Sequence, residues 1–493
     1  MEVMQSILID GDWHRTEASR EILNPATGEA ISLQAEAGRA EVEAAVDAAS
    51  KALAEWQKSS PFERSQLLAR VSELLLERAE EIGMTLSLES GKRLEEAIGE
   101  VRLSADYFSW FAGEARRLEE LVAVDGRPSG PQMVLQKPAG VVACLTPWNF
   151  PVSIQARKVA PALAAGCTVV ARPSEQAPNS VVEFFRCLVD AGFPDGVVNL
   201  LTGSASEVVD PMLEDPRVRV ISFTGSTRVG KMLYERSAST MKRLALELGG
   251  SAPFIVFEDT DLEYAVDEAM LAKFRNCGQS CVGANCFYIE QTIYEDFVGL
   301  FAERVGALRL GDPLSEETTV GPLINPEARS SMEKVRDRAT HEGFETVASA
   351  PELSNGSGLS QDSFFAPGLQ AIPDYEQADG EFLREEIFGP VTLVAGFSDP
   401  ERLLEHVGRS SVGLAGYVYS GDVRRAMRVA SNLHVGIAGV NESLATAVNV
   451  PMGGVKDSGL GREGGHLGLE EFLDHQYLAM KDRPLSALLS WSR

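Results

Sequence analysis

The sequence predicts an α/β protein built from more than one unit. Three observations carry this. The chain has 493 residues, more than one ordinary core accommodates. From about residue 133 short apolar runs recur: GVVACLT (140–146), CTVVAR (167–172), GVVNLL (196–201), VRVISF (218–223) and PFIVF (253–257). Helix-type segments such as NSVVEFFRCLVDAG (179–192) lie between them. Strand–helix alternation of this kind builds a parallel sheet with crossover helices.

Ahead of those runs, Val42, Ala45, Val46, Ala49, Leu53 and Trp56 recur at helical spacing. Ser60-Pro61 reads as a helix start, where proline fits because the first turn needs no N–H. Leu67, Leu68, Val71, Leu74, Leu75 and Ile82 continue the apolar stripe, and a third helical segment is expected over roughly 93–118. The first quarter is therefore mostly helical after a short N-terminal strand region. The α/β alternation resumes from 286 to about 440. SNGSGLSQDS (354–363) reads as an exposed loop, and LEEFLDHQYLAMKD (469–482) as a helix followed by a strand.

Composition narrows the function. Hydrophobic residues make up 44% and charged residues 24%, as in soluble globular proteins. The net charge of −27 repels nucleic acid and acidic membrane surfaces, so neither is an expected partner. It also repels an anionic substrate, which would need a local positive pocket. Six cysteines with no CxxC pair argue against a disulfide scaffold or a zinc ribbon, and no metal site is expected. The start has no apolar stretch suited to a signal peptide, and no run of 18 apolar residues occurs; a cytoplasmic location is the expectation.

FTGSTRVGKM (223–232) raises a specific question. GSTRVGK approaches the phosphate-binding loop of ATPases, but Met232 stands where a magnesium-binding hydroxyl belongs. VRVISF runs straight into this glycine turn and a helix-type segment follows. A strand–glycine–helix turn is where an α/β sheet binds a pyrophosphate. The plainer alternative is a glycine that only allows close helix–strand packing.

KFRNCGQSCVGANC (273–286) places Cys281 among small residues. An isolated cysteine is usually a buried core residue. Four further segments change that reading: TPWNFP (146–151) with Asn149, LELGG (246–250) with Glu247, EEIFGPV (385–391) with Glu386, and the Gly-rich MGGVKDSGLGRE (452–463). In this order and spacing the set resembles the aldehyde dehydrogenase superfamily over essentially the whole chain.

The resemblance implies a Rossmann-like cofactor domain (1–120 and 139–247), an α/β catalytic domain (248–445) and a small oligomerisation element (121–138 and 470–493), in a homodimer or homotetramer. It makes Cys281 the nucleophile toward an aldehyde. Asn149 becomes the oxyanion donor, Glu247 the base that hydrolyses the thioester, and Lys158 a further member of the catalytic set. Trp148, Arg172, Glu175, Ser226, Glu386 and Phe388 fall near the dinucleotide. Glu175 suits ribose hydroxyls and repels a 2′-phosphate, so NAD is expected. Arg172 stands where the family usually has lysine and can pair with a phosphate, so NADP use stays open.

Arg157 and Arg275 stand at positions that resemble those of succinate-semialdehyde dehydrogenases, where arginines bind the far carboxylate. Thr446 keeps a hydroxyl where that group commonly has serine. The expected reaction is oxidation of an aldehyde with a distal carboxylate, succinate semialdehyde first and glutarate semialdehyde next. A broad-range aldehyde dehydrogenase and a catalytically silent binding protein on the same fold are the alternatives.

Overall fold

The computed structural model describes residues 3–4, 6–118, 121–123, 132–354 and 357–479. Two large sheets organise it. The first contains five parallel strands, in the spatial order Arg243–Glu247, Val218–Thr224, Val141–Leu145, Thr168–Arg172, Val198–Leu200. The chain enters at the middle strand, winds to one side, then returns and winds to the other. The order therefore reverses between Val141–Leu145 and Val218–Thr224. Outside the carboxyl ends of the strands at such a reversal lies the crevice where doubly wound sheets bind ligands. The hairpin Ile7–Ile9/Asp12–His14 extends one edge antiparallel, and Gly459–Leu460 closes the other against Arg243–Glu247.

The second sheet has six parallel strands, in the order Gly368–Ile372, Val391–Phe397, Ala284–Glu290, Ala252–Val256, Ala415–Tyr419, Ile437–Val440. Glu345–Ser349 is its antiparallel edge. Val141–Leu145, Ala252–Val256 and Val391–Phe397 are buried at every residue, which explains why Thr392 is their one polar side chain. Each sheet carries its own apolar core.

The helical first quarter follows the sequence with one correction. Ser60 caps the helix Pro61–Glu77: its hydroxyl accepts from the Glu63 N–H at 3.2 Å, and the Glu63 carboxylate accepts from the Ser60 N–H at 2.7 Å. The stripe does not run on to Ile82 in the same helix. Arg78 leaves helical geometry (φ −107°) and its guanidinium pairs with Asp190 at 2.6 Å, so Ile82 belongs to a separate helix, Ala79–Ser90. The third segment forms Leu94–Ala115.

Near the end of the described chain the helix is Gly465–Glu470, earlier than expected. Leu473–Ala479 is drawn into an antiparallel sheet with Gln132–Pro138 and Leu121–Ala123. Residues 124–131 and 480–493 of the expected oligomerisation element, and 355–356 of the expected loop, lie outside the described residues. Among the described residues no helix is long and apolar enough to cross a membrane.

Candidate active site

The carboxyl ends of the first sheet face the amino ends of the second, and the chain passes from one to the other at Glu247–Ala252. A cavity of about 210 Å³ opens there. From the first sheet it is lined by Trp148, Asn149, Ser226 and Glu247, and from the second by Cys281, Glu386 and Phe388. A larger cleft of about 730 Å³ beside Trp56 and Asp195 holds none of the expected site residues.

Cys281 is half-buried in the segment between the helix Leu262–Phe274 and the strand Ala284–Glu290. Its approach is unusual. Asn276, Cys277 and Gly278 are all left-handed, with φ of 51°, 55° and 74°. Two of these are not glycine, which is strained backbone of the kind that clusters at functional sites. At Gly278 a side chain is also excluded by contact, since a Cβ would lie 2.4 Å from the Gly389 carbonyl oxygen. Burial pushes the Cys281 thiol up to about 12, with Arg157 pulling the other way and Glu386 and Glu247 adding to the rise. The resting group is therefore a thiol.

Glu247 ends its strand and is buried, yet neither carboxylate oxygen has a hydrogen-bond partner among the described residues. Burial first, and the Glu463 carboxylate second, hold its pKa well above the usual range; Lys158, Arg157 and Arg462 oppose them. Glycines make the space. A Cβ on Gly453 would stand 2.9 Å from Glu247 Oε1, and one on Gly249 would stand 2.5 Å from Glu386 Oε2. The Asn149 side-chain amide donates to the Gln279 carbonyl at 3.1 Å, two residues before the nucleophile.

The same cavity carries polar and aromatic groups suited to one end of a dinucleotide. Ser226 caps the helix Thr227–Ser237 directly after the strand Val218–Thr224, which sets a helix N-terminus at the sheet's reversal point. Glu386 accepts from the Gly250 N–H at 3.3 Å and is pushed up to about 7 by burial. Thr224 Oγ1, in the lining, is buried without a partner. Trp148 and Phe388 meet edge-on at 5.6 Å and form an aromatic wall.

Other expected residues stand outside the lining. Lys158 is fully buried, paired with Glu463 and 3.3 Å from Ser222 Oγ; it reaches the site only through its charge on Glu247. Arg172 binds the Gly203 carbonyl through Nε at 3.2 Å and a terminal nitrogen at 2.9 Å, and pairs with Glu175. Burial alone would raise the Glu175 carboxyl, but Arg172 outweighs it and holds it low. Arg157 is buried against Tyr107 and the Met452 sulfur, 3.8 Å from Glu463, with its Nε unpartnered. Arg275 is half-buried over the Phe150 ring at 5.3 Å. Thr446 is half-buried in the loop before Met452. Sequence reasoning missed Glu463, although it closes the quoted Gly-rich segment. Among the described residues no group of three His, Cys, Asp or Glu side chains could hold a metal ion.

This arrangement brings a cysteine, a buried carboxylate and a side-chain amide to one cavity at the reversal point of a doubly wound sheet. The sequence matches the Aldehyde dehydrogenase family over residues 13–478, and the chain belongs to that family. It is an NAD(P)-dependent aldehyde dehydrogenase. It is 38% identical to the glutarate-semialdehyde dehydrogenase of Pseudomonas putida, covering 97% of this chain and 98% of that one. It is 37% identical to the NADP(+) succinate-semialdehyde dehydrogenase of Escherichia coli, covering 97% and 98%. The crystal structure of betaine aldehyde dehydrogenase from Staphylococcus aureus in complex with NAD+ superimposes with a TM-score of 0.93. That protein is 32% identical, with 98% of this chain and 96% of that chain covered.

Proposed function

We propose that this enzyme oxidises a short aldehyde bearing a distal carboxylate, succinate semialdehyde first and glutarate semialdehyde second, to the dicarboxylic acid. The observation that carries the substrate is Arg157: a buried guanidinium with an unpartnered Nε, close enough to Cys281 and Glu247 to act on the charge of both. In a chain of net charge −27, an anionic substrate needs such a local cation to enter. Arg275, on Phe150 beside Asn149, supplies a second cation, and Thr446 a hydroxyl. The relatives named for glutarate and succinate semialdehydes support the same class.

In this reading Cys281 Sγ adds to the aldehyde carbon and the thiol proton passes to solvent water. The oxygen that gains negative charge is met by Asn149 Nδ2 and the Cys281 N–H. A nicotinamide held in this cavity would supply the hydride acceptor, and loss of hydride from this carbon would leave a thioester on Cys281. Glu247 takes a proton from water, the hydroxide portion adds to the thioester carbon, and the acid leaves as Cys281 regains its proton. Lys158 and Glu463 set the charge around Glu247. Trp148, Glu386 and Phe388 would hold the nicotinamide half of the cofactor, and Ser226, at its helix N-terminus, the pyrophosphate.

Glu175, held by Arg172, receives the adenosine ribose, with NAD preferred and NADP accepted. The cofactor domain is 1–120 with 139–247, the catalytic domain 248–445, and 121–138 with 470–493 assemble a homodimer or homotetramer. Exposed Tyr477, on the strand paired with Gln132–Pro138, supports that assembly role. Six free cysteines fit a reducing, cytoplasmic setting.

The test is NAD reduction with succinate semialdehyde, glutarate semialdehyde and butanal, for wild type and Arg157→Leu/Arg275→Leu. Wild type should favour a charged aldehyde by about 100-fold in kcat/KM, and the double variant should lose that preference. Equal treatment of charged and neutral aldehydes by wild type would leave a broad-range enzyme.

A further inference from the structure

Asn149 can orient a developing oxyanion only if its backbone is fixed, and the structure accounts for that fixing. Its carbonyl oxygen accepts two hydrogen bonds: from Lys92 Nζ at 2.8 Å and from Asn276 Nδ2 at 2.9 Å. Lys92 lies between the helices Ala79–Ser90 and Leu94–Ala115, far from the site in sequence. Its ammonium pairs with Glu100, and both side chains are 1% exposed. Glu100 Oε1 then accepts from the Val152 and Ser153 N–H groups at 3.0 and 3.1 Å. Those are first-turn donors of the helix that Pro151 begins.

One buried ion pair therefore grips Asn149 from both sides. The ammonium holds its carbonyl, and the carboxylate holds the helix into which it leads. Lys92 Nζ also stands 4.0 Å from the centroid of the next ring, Phe150.

The second donor ties Asn149 to the nucleophile. Asn276 sits in the left-handed run before Cys281, and its side chain also bonds the Gln279 carbonyl at 3.2 Å. Gln279 returns a bond from Nε2 to the Asn276 carbonyl at 3.2 Å. The Asn276 N–H is held by Glu96 at 3.1 Å, from the same helix as Glu100. The amide and the cysteine are thus referenced to one helix, Leu94–Ala115.

We propose that Lys92, Glu100 and Asn276 are positioning residues that set the Asn149 amide against Cys281 for oxyanion stabilisation. None of the three lines the cavity. They act through Asn149, so the proposal rests on its role as oxyanion donor. Buried donors aimed where charge develops need no reorganisation during reaction, which is where their advantage arises.

The test is a set of double-mutant cycles on the full-length enzyme, read as the single-turnover rate of NADH formation with succinate semialdehyde. Lys92→Met and Asn276→Ala are each made in wild type and in Asn149→Ala. In the wild-type background each should slow hydride transfer by about 10- to 100-fold, with KM within about 3-fold and NAD binding by fluorescence unchanged. On top of Asn149→Ala each should cost less than about 2-fold. Asn276→Ala leaves the buried ion pair intact, so it carries the test even if Lys92→Met fails to fold. Equal losses in both backgrounds, or no loss in either, overturn the proposal while Asn149 keeps its role. If Asn149→Ala alone leaves hydride transfer untouched, the oxyanion reading falls and this inference falls with it.

Discussion

Glu100 and Glu247 are equally buried, each 3% exposed, and the protein treats them in opposite ways. Glu100 has an ammonium and two backbone N–H groups. Glu247 has no hydrogen-bond partner among the described residues, and its strongest charge neighbour is another carboxylate. A buried carboxylate left without partners costs several kcal/mol, and only a function sustains it. The contrast separates two uses of burial. At Glu100 it makes an ion pair rigid. At Glu247 it withholds solvation, so that the group takes up a proton readily.

The largest effects test that contrast directly. Glu247→Gln should cut steady-state turnover by about 10²- to 10⁴-fold and leave a burst of NADH with a thioester retained on Cys281. Retention is read by intact-protein mass spectrometry. A linear time course with no burst would remove Glu247 from hydrolysis. The same substitution should leave thermal stability unchanged or raised at neutral pH, because it removes a group that ionises at a penalty in the fold. Glu100→Gln should do the reverse, losing about 3–5 kcal/mol by leaving the Lys92 ammonium buried without its counter-charge. If the two variants shift Tm alike, the contrast is wrong.

The pH dependence follows from the sign of the Glu247 shift. Its carboxyl is raised well above 4.5, so it is protonated and idle as a base until pH exceeds that raised value. Hydrolysis-limited kcat should climb about tenfold per pH unit below it and then level off. Wild-type stability should fall relative to Glu247→Gln as pH rises from about 4.5 through the folded pKa, since the unfolded chain loses that proton first. A flat difference in stability across that range would mean that Glu247 titrates normally.

The same contrast explains what the sequence made legible. The strand in GVVACLT announced itself because both faces are buried, and the one in VRVISF because all but Arg219 and Phe223 are. The cavity residues were legible through the order and spacing of their motifs, and the structure shows why glycines stand in them: Gly249 and Gly250 beside Glu386, and Gly453 beside Glu247. Lys92 and Glu100 were not legible. In ESGKRLEEAIGE they sit among charges that read as a solvated helix face. Only tertiary packing buries those two while leaving Glu95 90% exposed. The Arg172–Gly203 contact was hidden for a similar reason, because its acceptor is a backbone carbonyl 31 residues away.

The smallest predicted effect is the most local. The room for Glu247 depends on Gly453, where a Cβ would meet Glu247 Oε1 at 2.9 Å and the Arg462 Cδ at 2.7 Å. The Gly461 carbonyl oxygen, also 2.9 Å away, is backbone, so Gly453→Ala should shift the local chain as well as the carboxylate and lower stability. Hydrolysis should then slow by several-fold, on the order of 1 kcal/mol, while hydride transfer, proposed to depend on Asn149 and Cys281, should stay near wild type. Gly113→Ala is the control: its Cβ would meet nothing within 4 Å, on the exposed face of Leu94–Ala115. It should add about 0.5–1 kcal/mol of stability with kinetics unchanged. A Gly453→Ala variant that slows hydride transfer and hydrolysis equally would show that Glu247 and Cys281 share one rigid unit. The withheld solvation at Glu247 would then be inseparable from the positioning that Glu100 provides.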